Sequence, residues 1–261
     1  MTPFRGAGLD EIDWSRPWLA PLREHGEALA RRAFERGLVD ALNGDARIAG
    51  LSIQAGRLRF VPQRDLPDGE AYEAFIARTA CVPTRDNLHD LFNGLIWLAH
   101  PAIKRRLNEL QAGQIVRGPS DGRRGALRDA LTVFDENAAL LQAPAVLVDA
   151  LRQRDWHTLF VTQRAAWADA RLSLFGHALI EKLTHPRKPI TAHVWVLPLR
   201  RDDSRGAGIG MEAQAWLLDA LTPERLVLRE HLPLPVLGVP GWWPANERHA
   251  FYDDAAVFRP A

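Results

Sequence analysis

The chain is poor in cysteine, lysine and tyrosine, and the first two shortages bear on chemistry. With one cysteine, Cys81, it can form no intramolecular disulfide and no Cys-pair zinc site. A reducing compartment is therefore permitted, and a cytoplasmic protein is the expectation. The basic residues are nearly all arginine, with lysine only at Lys104, Lys182 and Lys188. Together with the many alanines, this fits coding from a GC-rich bacterial genome better than a functional demand for guanidinium groups. A formal net charge of +1 gives no global field to steer the protein to nucleic acid or an anionic membrane. A nucleic-acid partner is accordingly not expected. Long hydrophobic runs are missing as well. The most apolar stretch, Leu88 to Ala99, is interrupted by Asn93 and falls far short of the ~20 residues that cross a bilayer. The opening "MTPFRGAGLDEIDW" has no apolar run of signal-peptide length, so no membrane association is expected.

What is present is an ordinary globular composition, 47% hydrophobic and 25% charged over 261 residues, with ample material for a core. Residues through about 45 have apolar side chains at helical spacing, stopping near Asn43-Gly44. "IAGLSIQAGRLRFVP", residues 48–62, reads as a short β-hairpin. After an acidic turn, one helix starts behind Pro83 and a second follows Pro101. Residues 113–127 form a Gly-rich connection carrying Arg117, Arg123 and Arg124. "LRDALTVFDENAALL" reads as a helix throughout, and residues 155–183 as one long helix. "ITAHVWVLPL", residues 190–199, alternates like a strand, "RRDDSRGAGIG" is a loop, and "MEAQAWLLDALTPERL" a last helix. The Pro- and aromatic-rich end, from about 232, is too apolar for a free tail and should wrap over the body as ordered irregular structure. No repeat or heptad run is visible. The expectation is an α+β, predominantly helical fold in a single domain over residues 1–261.

The helix "TRDNLHDLFNGLIWLAH" carries the densest chemistry. At about 100° per residue, Leu88, Leu91, Phe92, Leu95, Leu98 and Ala99 share one apolar stripe. Asp86, His89, Asp90, Asn93, Trp97 and His100 fall opposite. A solvated outer face would be built of Lys, Arg and Glu. Short polar groups around a tryptophan suggest a second, polar interface or a pocket wall. His89 and Asn93 stand one turn apart, so their side chains can converge. Thr84 or Asp86 is a candidate helix cap. In "LFGHALIEKL", His177 and Glu181 have a spacing that suits two ligands on one metal, or merely a helix-stabilising pair. Gly176 before His177 signals close approach by another backbone. In "RDALTVFDEN", Arg128, Asp129, Asp135 and Glu136 lie beside apolar residues, and the adjacent Asp135-Glu136 can send one carboxylate inward and one outward. His193 sits on a strand that reads as buried, where a hydrogen-bonded core histidine is the usual outcome.

Other motifs fail. "GAGIG" lacks the dinucleotide-binding spacing, and no Walker loop, H-E-x-x-H or G-x-S-x-G elbow is present. His89-Asp90 matches the dipeptide of HD-type phosphohydrolases, but His25 is too far upstream to be a first ligand.

Five segments in order, "PTRDNLHDLFNGLIWLAHPAIKRRLN", "RDALTVFDEN", "LFGHALIEKL", "TAHVWV" and "PGWWPANERHAFYDDAAVFRP", together resemble a bacterial family of unknown function, DUF3025. The resemblance implies a soluble bacterial protein and carries no activity. It implies that Asn87, His89, Asp90, Asn93, Trp97, Asp135, Glu136, His177 and His193 belong to the family pattern. His100 departs from that pattern, which has an aromatic before Pro101, and is a poor site candidate.

Two functions follow as expectations. In the first, the chain is a metal-assisted hydrolase with catalytic His89, Asp90 and Glu136, and a pocket lined by Asn87, Asn93, Trp97 and Arg128. Its divalent metal is bound by His89, His177 and Asp135. In the second, the protein is a non-enzymatic binding or scaffold protein, and the same polar residues form buried hydrogen-bond networks. The distance between His89 and His177 separates the two.

Overall fold

The computed structural model describes residues 8–45, 48, 50–116, 125–199, 209–228 and 230–261. Arg117, Arg123 and Arg124 and most of the Gly-containing loop at 200–210 lie outside the described residues. The fold is α+β and predominantly helical, as the sequence predicts. By compactness the chain groups into two units, Met1–Trp14 with Leu22–Asp135, and Ser15–Pro21 with Glu136–Ala261.

The first unit is built of helices. α1 (Arg23–Arg36) and α2 (Leu38–Asn43) are separated by Gly37 at φ 87°, a conformation that favours glycine. The expected hairpin is β1 (Ser52–Ile53) against β2 (Gly56–Arg57). The chain does not continue as a longer hairpin. β3 (Arg59–Pro62) pairs in parallel with β4 (Cys81–Thr84), joined through α3 (Tyr72–Thr79). The sequence reading missed β4 because Pro83 sits within it and the run is only four residues long. α4 (Leu88–Ala99) and α5 (Pro101–Val116) form the predicted pair around Pro101. α4 is buried almost all round, from Asp90 through Leu98. Its polar stripe therefore faces protein, which is why it contains no Lys, Arg or Glu. Neither Thr84 nor Asp86 caps it. Asn87 is the cap, its side chain accepting from the Asp90 N–H at 2.8 Å. Asp86 instead accepts from the Leu38 N–H at 2.9 Å, bonding the start of α2.

α6 (Ala126–Asn137) ends sooner than expected. Ala138–Gln142 is a strand, β5, buried along its whole length and paired on both sides. Its Ala-Ala-Leu-Leu run suits a helix by propensity. A central strand covered on both faces shows no alternation to reveal it.

The second unit is organised on a four-stranded sheet in the order β6 (Arg171–Leu174), β5, β7 (Thr191–Val196), β8 (Leu232–Pro235). β5 runs parallel to β7, and the outer pairs are antiparallel. The long helix expected over 155–183 does not form. A π-turn at Thr158–Thr162, a 3-10 stretch at Arg164–Asp169, β6, and α8 (His177–Lys182) replace it. The cause is packing. Phe160 stacks near Trp167 and Tyr252 and meets Phe258 edge-on. Arg164 reaches the carbonyl of Asn246, the Tyr252 hydroxyl and Glu247. These contacts fix the segment against the C-terminal wrap, whose Asn246 is fully buried and donates to Leu237 and Val239 carbonyls. α7 (Ala145–Arg152), α9 (Met211–Ala220) and α10 (Pro223–Val227) complete the unit. The wrap is partly regular, since its first residues form β8. Among the described residues, no helix is long and apolar enough to cross a membrane.

Candidate functional site

Two neighbouring residues of α6 lead to two different environments. Asp135 is buried, and its carboxylate accepts from the Lys104 ammonium at 2.6 and 2.9 Å. The third proton of that ammonium goes to the Asn93 side-chain oxygen at 2.8 Å. All three lysine donors are thus used, and Nζ also lies 5.4 Å from the centre of the Trp97 ring, within cation–π reach. Asn93 in turn donates to the Tyr72 hydroxyl at 3.1 Å. One turn beyond Lys104, Asn108 is buried and donates to the carbonyl and the carboxylate of Glu73. Burial raises the Glu73 carboxyl pKa above its ordinary value, and the charge of Asp135 adds to this, while Lys104 and Asn108 oppose it. Burial pushes the Tyr72 phenol well upward, assisted by Glu73 and Asp90.

Asp90 belongs to a separate arrangement. Its carboxylate accepts from the Arg85 backbone N–H at 2.6 Å and from both ends of the Arg85 guanidinium at 3.1 Å. Asn87 caps α4, and Trp97 is buried against Lys104. Arg128 is half-buried on α6. Five of the residues singled out in the sequence, Asn87, Asp90, Asn93, Trp97 and Asp135, are therefore bound up in capping, ion pairing and core packing.

Glu136, one step further along α6, goes elsewhere. Residues 139 and 174 pair across β5 and β6. Continuing that antiparallel register past the strand ends sets 137 opposite 176 and 136 opposite 177. The chain follows this path closely. The N–H groups of Phe175 and Gly176 both donate to the Ala138 carbonyl, at 3.0 and 2.8 Å. A side chain at Gly176 would place its Cβ 2.4–2.5 Å from the backbone of Glu136 and Asn137, so only glycine fits. This is the close backbone approach that Gly176 signals in the sequence. Lys182 adds a hydrogen bond to the Asn137 side chain at 3.1 Å.

Among the described residues, one group could hold a metal ion by the approach of its side chains. His89, Glu136 and His177 each offer one ligand atom, and these atoms all lie within 4.8 Å of one another. His177 is buried, while His89 and Glu136 are half-buried. Donors around a tetrahedral ion with bonds of about 2.0–2.2 Å stand roughly 3.3–3.6 Å apart, closer than the 4.8 Å within which these atoms lie. The carboxylate that joins the two imidazoles is Glu136; Asp135 is turned to Lys104, and Glu181 is outside the group. His193 stacks on His231, with ring centres 4.4 Å apart, and takes no part. Two clefts, of about 550 Å³ around Arg57 and Arg59 and about 310 Å³ around Trp156 and Pro233, contain none of these residues.

The sequence profile of a protein family of unknown function, DUF3025, matches residues 58–261. The chain belongs to that family. The match contains every member of the His89–Glu136–His177 group and of the Lys104 network, while α1, α2 and the β1–β2 hairpin precede it. Searches of curated proteins and of solved structures gave no match.

Sequence reasoning passed over Lys104, Tyr72, Glu73 and Asn108. A signal existed for the first. In a chain that uses arginine almost everywhere, a lysine marks a place that needs a compact ammonium with three rotatable donors.

Proposed function

We propose that this DUF3025 protein binds a divalent metal ion through His89, Glu136 and His177, and that the site serves hydrolysis. The observation that carries the proposal is the approach of two imidazoles and one carboxylate to within 4.8 Å, with two of the three half-exposed. Two nitrogen donors and one oxygen donor suit zinc and related divalent ions, and three protein ligands leave a coordination position for water or substrate. An ion held there would supply Lewis acidity and would lower the pKa of a water bound to it to near 7. The two imidazoles would bind it as neutral ligands, and Glu136 would offset part of its charge. In this reading Asp90 and Asp135 are structural, because their oxygens are committed to Arg85 and Lys104. A cytoplasmic setting is part of the proposal and rests on the one buried thiol, Cys81.

The alternative, a non-enzymatic protein whose polar residues form structural networks, has its own support in the Lys104–Asn93–Asp135 bonds. It accounts for those residues directly, whereas two imidazoles and a carboxylate meeting at one point have the composition of a metal-ligand set. Zinc titration with a competing chromophoric chelator separates the two. The wild type should take up one equivalent, and His177→Ala and Glu136→Gln should each weaken binding by at least about 10-fold. Uptake that is unchanged in both variants would remove the metal site.

A further inference from the structure

We infer that Lys104 is the positioning residue of the metal site, holding the helices that carry His89 and Glu136 in the rotational setting that aims both side chains at one point. The inference rests on the divalent-metal reading of the cluster and adds to it a residue that touches neither metal nor substrate.

The geometry is specific. Lys104 stands on α5 and donates to Asn93 on α4 and to Asp135 on α6, at 2.6–2.9 Å. Asn93 lies four residues after His89, one turn along the same helix, and Asp135 immediately precedes Glu136. One ammonium therefore bonds a near neighbour of two of the three candidate ligands. A helix advances about 100° per residue. With Asp135 turned to Lys104, Glu136 is directed to a different side of α6, and a rotation of that helix would move both side chains together. The third candidate ligand, His177, is held by the β5–β6 register and by the Gly176 contact with the backbone of Glu136 and Asn137 at the end of α6. Strand register thus brings Glu136 and His177 together, and Lys104 joins the helix that carries His89 to the helix that carries Glu136.

A merely structural lysine would contribute to stability and leave the metal's surroundings unchanged once the protein is folded. Three full-length variants distinguish these roles, each measured with Co(II) well below its melting temperature, where unfolding does not enter the affinity. Lys104→Met leaves Asp135 buried without its cation, so it should melt lower. Lys104→Met/Asp135→Asn removes both charges and should recover most of the melting temperature. Its Co(II) affinity should stay about 10-fold or more below wild type, with altered visible d–d bands. Asn93→Ala keeps the Lys104–Asp135 ion pair and removes the hydrogen bond from Lys104 to α4, together with the one from Asn93 to Tyr72. It should also alter the Co(II) spectrum and weaken binding several-fold.

Wild-type affinity and spectrum in both the double variant and Asn93→Ala would overturn the positioning role while leaving the metal site standing. If the double variant does not fold, Asn93→Ala decides alone. A wild-type protein that binds no Co(II) would overturn the metal reading and this inference together.

Discussion

Asp135 and Glu136 are adjacent carboxylates on one helix, and their environments differ. The first is buried, and its oxygens receive two protons from a buried ammonium. The second is half-buried and meets two imidazoles. An ion pair buried with its hydrogen bonds complete is finished chemistry, with its electrostatics spent on holding helices together. A carboxylate beside two imidazoles, partly open to solvent, has the composition of a ligand set. Acidic character alone thus says little about function; the side of the helix on which it falls says more. The sequence supports one carboxylate inward and one outward, and the structure gives each side an identity.

The comparison fails if the two carboxylates carry equal structural weight. Lys104→Met leaves Asp135 as an uncompensated buried charge and should cost about 3–5 kcal/mol in urea unfolding. Glu136→Gln should change stability by less than about 1 kcal/mol in the absence of metal. Similar losses in the two variants would erase the distinction.

The end of α4 extends the buried side of the comparison. His100 accepts the Lys104 backbone N–H at its carbonyl, and burial lowers its imidazole pKa from 6.5 to about 4. The unfolded chain binds this proton near pH 6.5 and the folded protein only near pH 4. His100 therefore costs no stability above pH 6.5, and stability falls progressively between pH 6.5 and 4. The loss should total about 3 kcal/mol. His100→Phe, which removes the titrating ring and keeps an aromatic volume, should flatten that part of the pH profile. An unchanged slope in chemical denaturation would show that His100 does not stay neutral.

On the Glu136 side, Gly176→Ala forces a Cβ into the backbone of Glu136 and Asn137. About 1–3 kcal/mol of destabilisation is expected, together with weaker zinc binding, because the approach of Glu136 to His177 is what the glycine permits. Loss of stability with undiminished zinc affinity would detach the glycine from the site.

How much of this was legible depends on which elements carried a local signal. α4 and α5 announce themselves through apolar spacing and Pro101, and β7 through alternation. β5 does not, because its Ala-Ala-Leu-Leu run is buried on both faces and shows no period. The long helix read over 155–183 fails because aromatic packing around Phe160 and the sheet register decide that segment, and both are long-range. The site divides in the same way. His89, Glu136 and His177 are visible as residue types in suggestive motifs, and Gly176 reads correctly as a point of close approach. The partition of Asp135 from Glu136 is invisible in the sequence, because it depends on Lys104 arriving from α5. Equally invisible is the approach of Glu136 to His177, 41 residues apart, which follows from β5–β6 pairing.

X-ray absorption at the zinc K-edge of metal-loaded protein tests the central claim most directly. A first shell of nitrogen and oxygen at about 2.0–2.1 Å, with the outer-shell scattering of two imidazoles, is the expected result, falling to one imidazole in His177→Ala. A shell lacking imidazole scattering, or a spectrum unchanged in His177→Ala, would contradict the account.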